Sequence, residues 1–348
     1  MPVGQGVTIL DMAAGNQPAV QKGTLEFMAD MSPLSDLMTF KSVPSTTVTI
    51  ARINPDMQPA AKYRNINSDG VWVSGSTEPH VETLKVLYEP VKIDKLILMD
   101  KTGLIRPEQN IEWAADAMQL EITNAFINGD GLTNFGNDGS NLPTQEPKGL
   151  RYRLANAAAE GMDSDVYTLG ITGSSINLSG TITSAIAYDL MDSLKELQTL
   201  TGANTLFCNF RAATRLRKAA VLTGALDTTQ DNLFRPWKQI FGMRIVETGV
   251  KAPARRLRNT SDTSNWTIPR QTSAGVDSTA SGQYTTFYVA NIAEGHVEGL
   301  TFGGMMQEGP TKLPPPTSAM AYELQFAFGF NVNGFRDIGG LYGVQIFT

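Results

Sequence analysis

Apolar and polar positions change period several times along the chain, and each change marks a predicted element. Residues 1–47 hold no sustained pattern, because Gly4, Gly6, Gly15, Pro18, Gly23, Pro33 and Pro44 interrupt it; this reads as an extended arm. Within the arm, Leu34, Leu37, Met38 and Phe40 have the spacing of one helical turn, apolar enough to dock on a neighbour. From Thr47 the period falls to two. Val48, Ile50 and Ile53 open a strand, Ser68, Asp69 and Gly70 make a turn, and a return leg runs from Val81 through Leu87 to Val91, Ile93 and Ile97. Residues 48–100 are thus expected as a long hairpin with a polar tip and no sheet partner of its own. Such a ribbon is marginal alone and needs an outside surface.

The period then becomes helical. Pro107 suits a first helical position and Glu108 suits the positive end of the dipole. Ile111, Ala115, Met118, Ile122 and Ala125 form one apolar stripe, widened by Trp113, Ala117, Leu120 and Ile127, before Gly129 and Gly131 stop it. The pattern predicts a helix over 107–128, about 33 Å long at ~1.5 Å per residue. Ile182, Ile186, Leu190, Leu194 and Leu197 predict a second helix capped by Gly202, and Leu206–Phe210 a compact strand. A third helix follows with Arg211, Arg215, Arg217 and Lys218 on its wet side, which together marks an α/β lobe. Residues 251–284 are poor in large apolar side chains and read as a long surface loop. Strands are expected near Tyr284–Asn291 and Gly299–Phe302. After Leu313-Pro314-Pro315-Pro316, alternating Leu324, Phe326, Phe328, Phe330 and Val332 lead to a C-terminal strand.

Composition narrows the function classes. With 348 residues and 41% hydrophobic content the chain can fill two lobes. Charged residues are 18% of the chain, a sparing surface that suits burial against copies of itself. A net charge of −6 argues against a dedicated nucleic-acid binder, leaving weak contact with packaged DNA at most. The lone Cys208, among Leu206, Phe207 and Phe210, reads as a buried thiol. No apolar run reaches the roughly 18 residues of a membrane span, and the N-terminus lacks the basic start of a signal peptide, so no membrane partner is expected.

Catalytic patterns are sparse. His80 and His296 lack a second histidine at metal spacing and read as surface or interface residues. Neither a phosphate-binding loop, a G-x-S-x-G elbow nor an H-E-x-x-H helix occurs. Asn128-Gly129-Asp130-Gly131 lacks the ladder and final glutamate of a calcium loop and reads as a helix stop. No catalytic residue, cofactor or metal is expected. A rival class, a β-rich carbohydrate-binding or carbohydrate-active protein, wants carboxylates flanked by aromatics, and no such cluster stands out.

The order arm, hairpin, long helix, α/β lobe and returning strand resembles the major capsid proteins of tailed bacteriophages, with their Hong Kong 97-type capsid fold. Shorter matches lie in Ser32-Pro33-Leu34, Ala125-Phe126-Ile127-Asn128-Gly129-Asp130-Gly131, Pro147-Lys148-Gly149-Leu150 and Gly242-Met243-Arg244-Ile245-Val246. The resemblance implies an α+β protein with an N-terminal arm (1–47) and an extended loop with its flanking strands (48–100). A peripheral domain (101–150 and 313–348) would be built on the spine helix 107–128, and an axial domain (151–312) would carry the loop 251–284. It implies a structural, non-enzymatic subunit that forms hexamers and pentamers of an icosahedral virion shell around double-stranded DNA. Assembly would take place in the bacterial cytoplasm, with a portal and possibly a decoration protein. The short arm has no room for a fused scaffold, so the resemblance implies either a separate scaffolding protein or a chain that is already processed. An encapsulin-like nanocompartment is the nearest alternative. Intersubunit contacts are expected from Lys62, Arg64, Glu82 and Lys85 of the hairpin to Glu108, Glu112 and Asp116 of a neighbour's spine helix. Some relatives crosslink such a lysine to an asparagine beside a buried acid. Lys62, Lys85, Asn331, Asn333 and Glu323 have the right types, but these are common surface residues and none is assigned that role.

Overall fold

A computed structural model describes residues 34, 37–53, 77–94, 107–131, 133–135, 143–157, 159–160, 162, 176–230, 236–249, 266–268, 283–312 and 319–347. The helical turn of the arm is present, with the Met38 N–H donating to the Leu34 carbonyl at 2.9 Å. It leads into β1 (Phe40–Ser42). Leu34, Met38 and Phe40 are 2%, 0% and 1% exposed in this chain's own core, so the turn docks on its own body and not on a neighbour.

Strands β2 (Thr47–Ile53) and β3 (Thr77–Thr83) pair antiparallel from Thr47 opposite Thr83 to Ile53 opposite Thr77. The hairpin base is therefore as expected. The return leg departs from expectation: after Leu84 the chain turns into β4 (Lys85–Asp94), which pairs with a strand near the C-terminus, Lys85 opposite Phe328 and Asp94 opposite Ala319. Alternation explains the departure. Leu87, Val91 and Ile93 offer β4 an inward apolar face while Val86, Tyr88 and Lys92 stay exposed, and such a strand needs a core on one side.

Helix α1 (Pro107–Asn128) has the predicted bounds. Its stripe, Ile111, Ala115, Met118, Ile122 and Ala125, is buried. Trp113, grouped with the stripe from sequence, points out and is 64% exposed. The helix stop is a close backbone crossing: the Gly129 N–H donates to the Ala125 carbonyl at 3.0 Å, and the Gly149 N–H donates to the Gly129 carbonyl at 2.8 Å. A β-carbon on Gly129 would meet the Pro147 oxygen at 2.1 Å, and one on Gly149 the Ala125 oxygen at 2.6 Å. Gly149→Ala is expected to cost about 1–3 kcal/mol by forcing these segments apart. Chemical denaturation would read this, and a neutral outcome would mean the crossing is slack.

Next come β5 (Thr133–Phe135), β6 (Pro143–Gln145), α2 (Leu150–Ala155) and α3 (Ser184–Thr201). Helix α3 is capped by the Thr183 hydroxyl and by left-handed Gly202. Strand β7 (Thr205–Asn209) feeds α4 (Phe210–Thr223), whose cap is the Asn209 side chain. Then follow β8 (Leu226–Gln230), β9 (Pro236–Ile240), β10 (Met243–Thr248), β11 (Tyr284–Ala290), β12 (Val297–Lys312), β13 (Ala319–Val332) and β14 (Ile338–Gln345).

One sheet is ordered β1-β12-β13-β4 and a larger one β14-β11-β7-β10-β9-β8. This division differs from the expected boundaries. Strand β12 belongs with the spine helix, and the terminal β14 returns to the α/β lobe, where Leu341 and Val344 pack among Leu206, Cys208, Phe287 and Val289. Phe126, near the end of α1, lies 5.4 Å from Phe207 of one sheet and 5.0 Å from Phe330 of the other, joining the two sheets within one core. The loop 251–284 is also less superficial than its composition suggested. Trp266 and Ile268 are each 1% exposed, and Trp266 packs edge-on against Phe210 at 4.6 Å. The segment Leu313-Pro314-Pro315-Pro316 lies outside the described residues.

Candidate functional site

At the hairpin base, strand pairing collects charge on one face. Ile50 lies opposite His80 and Val48 opposite Glu82, and the period of two places Arg52 on the same side as both pairs. Beneath them the crossing of Gly129 and Gly149 aims Lys148 and α2 at the hairpin, and the turn after α2 supplies Glu160. The six side chains interlock. Arg153 donates from Nη1 to Glu82 at 2.6 Å, from Nη2 to the Phe330 carbonyl at 2.9 Å and from Nε to the Lys148 carbonyl at 3.3 Å. Arg52 donates from Nε to the Val332 carbonyl at 2.7 Å and from Nη1 to the Glu160 carbonyl at 2.5 Å, with Nη2 3.4 Å from Glu82. Lys148 Nζ reaches Glu160 at 2.8 Å. His80 Nε2 stands 2.9 Å from Glu160 and 3.3 Å from Glu82, an ion-pair contact off the axis of a straight hydrogen bond.

Arg52, Glu82, Arg153 and Glu160 are 4%, 4%, 1% and 3% exposed. Burial alone would raise both carboxyls. The Arg153 charge beside Glu82, and the His80 and Lys148 contacts to Glu160, outweigh it and hold each at about 2, below the ordinary 4.5. Burial and the Arg153 charge lower Arg52 to about 10. Carboxyls depressed in the folded state stabilise it above the unfolded value of 4.5, and that contribution drains away as pH falls toward 2. The melting temperature is therefore expected to fall steeply below pH 4.5, and less steeply in a Glu82→Gln variant. Equal slopes would show that the acid sensitivity resides elsewhere.

His80, Glu82 and Glu160 place potential ligand atoms within 4.8 Å of one another, a spacing that suits a metal ion. Their negative charge is already met by Arg153, Arg52 and Lys148, and Arg153 Nη1 shares the Glu82 oxygen that faces His80. The cluster thus works as a rivet between hairpin and body.

Glu82, expected to face a neighbour, is inside this rivet because its strand turns that face inward. Asp116 is likewise turned into the body, at 9% exposure. Glu112 is exposed on α1, and Lys85 is half-buried at the start of β4. Glu108 lies in the first turn of α1, while Lys62 and Arg64 fall outside the described residues. His80 is half-buried in the rivet, and His296 Nδ1 contacts Asp337 at 2.8 Å. Cys208 is buried as expected, which drives its thiol well above its ordinary range. Sequence reasoning missed Arg52, Lys148, Arg153 and Glu160; the one local signal was the same-face spacing of His80 and Glu82.

No protein-family model and no curated protein matches the sequence. The fold does match solved structures. The encapsulin of the holo-SrpI complex from Synechococcus elongatus PCC 7942 aligns with TM-score 0.57 and 10% identity, covering 90% of this chain and 89% of that one. The capsid of the native GTA particle aligns with TM-score 0.54 and 14% identity, covering 90% of each chain. The procapsid of satellite phage P4, a structure that includes its size determination protein, aligns with TM-score 0.53 and 9% identity over 95% of this chain and 93% of that one. The chain therefore has the fold of the capsid and encapsulin shell proteins, the Hong Kong 97-type fold.

Proposed function

We propose that the chain is the major capsid protein of a tailed bacteriophage: a non-enzymatic subunit whose hexamers and pentamers close an icosahedral shell around double-stranded DNA. The observation that carries this reading is fold likeness along nearly the whole chain to capsid and procapsid subunits, covering 90% and 95% of it. Two further features support it. The rivet fixes the hairpin root, so the hairpin can act as a lever on another subunit. On the outer face of the four-stranded sheet, Met306 lies opposite Gln325, which lies opposite Tyr88, and Val86 follows on β4. Tyr88, Val86 and Met306 are 46%, 59% and 44% exposed, and grouped apolar exposure of this kind marks an association surface. On this reading the protein assembles in the host cytoplasm with a separate scaffolding protein and a portal, and ends in the virion. The likeness to the SrpI encapsulin favours a second reading, a compartment around a protein cargo.

Expression of the full chain, followed by size-exclusion chromatography and negative-stain imaging, tests both. Shells or ring-shaped capsomers are expected. A monomer of 37.7 kDa at all concentrations, with or without a co-expressed scaffold, overturns the shell reading. Shells that enclose a protein cargo and no nucleic acid replace the phage reading by the compartment.

A further inference from the structure

We propose that His80 is a pH-sensitive fastener that holds the root of the hairpin to the body at mildly acidic pH and loosens it as pH rises. The inference goes beyond the shell reading and starts from the geometry of the cluster. Among the described residues, three charged or titratable side chains cross from the hairpin base into the body: Arg52, His80 and Glu82. The guanidinium of Arg52 stays charged across the physiological range, and the Glu82 carboxylate is ionised throughout it. The imidazole is the group whose ordinary range lies near neutrality.

The groups facing His80 come from every element around it. Glu82 is on its own strand, Arg52 on β2, Arg153 on α2, Glu160 in the turn behind α2 and Lys148 ahead of it. Asp337, in the turn between β13 and β14, acts on Arg52. The carboxylates of Glu160 and Glu82 favour the imidazolium, while burial and the Arg52 charge oppose it. The carboxylates win, so the histidine sits above its ordinary 6.5. A raised histidine stabilises the folded arrangement fully below the unfolded value and gives that contribution up as pH rises through the folded one. Loss of the proton leaves Glu160 with Lys148 and Arg153, both on the body side. What weakens is the tie from β3 to the body at Glu160. Glu82 to Arg153 and the two Arg52 carbonyl contacts remain, so the hairpin loosens without detaching.

Hydrogen exchange read by mass spectrometry, on the full chain between pH 5.5 and 8.5 with intrinsic rates corrected, tests the fastener. Amides of β2 and β3 are expected to lose protection several-fold in one transition as pH rises, while α3 and β7 hold theirs. The chain has two histidines, which makes the assignment clean: His80→Gln should flatten the transition and His296→Gln should keep it. Should His80→Gln fail to fold, the wild-type comparison of β2 and β3 with α3 and β7, beside His296→Gln, still decides. A transition lost in His296→Gln, no transition at the hairpin base, or an equal one in α3 overturns the proposal.

Discussion

Replacing Arg153 by methionine is expected to cost about 3–5 kcal/mol of unfolding free energy, because it leaves buried charge without its partner. Arg153 is 1% exposed and its Nη1 lies between Glu82 at 2.6 Å and Glu160 at 3.4 Å. Its removal also strands the Phe330 carbonyl, which accepts from Nη2 at 2.9 Å. Lys148 can still serve Glu160, but Glu82 keeps only the more distant Arg52 and His80. Adding Glu82→Gln to the same variant should recover part of the loss, since a neutral amide is cheaper to bury than an unpaired carboxylate. Arg217, paired with Glu247 at 32% and 38% side-chain exposure, is the contrast. There Arg217→Met should cost about 0–1 kcal/mol. Urea unfolding of the four proteins decides the matter: if Arg153→Met costs no more than Arg217→Met, the rivet is ornamental.

The rivet also shows which parts of the molecule are legible in its sequence. Helix α1 could be read to its bounds because Pro107, a periodic apolar stripe and Gly129 are local signals. The same is true of α3 with Gly202 and of the β2–β3 base with its alternation. Glu82 could not be placed correctly, since the residues that draw it inward lie far along the chain: Arg153 is 71 residues away, and Arg52 and Glu160 are separated by 108. Trp266 was lost for a related reason. One large apolar residue in a polar run does not change the average, although a single indole fills a core position. The terminal strand was recognised as a strand, but β14 has few polar positions to say which sheet it joins. Its place is set by pairing with β11, from Tyr284 opposite Gln345 to Ala290 opposite Ile338.

Replacing residues 54–76 by Asn-Gly is expected to abolish shell formation while leaving the subunit folded. Ile53 and Thr77 are directly paired at the end of the described hairpin, and a two-residue Asn-Gly turn closes antiparallel strands without strain. The rivet residues Arg52, His80 and Glu82 are retained, so the melting temperature should stay close to that of the intact chain. What disappears is the segment 54–76, which includes Lys62 and Arg64. Each contact of that kind contributes only about 0–1 kcal/mol, yet a closed shell repeats every contact in every subunit, so modest losses per interface compound across the assembly. A wider deletion reaching Glu82 would confuse the test, since it would break the rivet and unfold the root. Circular dichroism should therefore report a native melt while chromatography and imaging report no shells. Shells of normal yield from this variant would mean that the hairpin does not bind subunits together. Failure of folding and failure of assembly are in this way read from separate variants, the first from Arg153 and the second from residues 54–76.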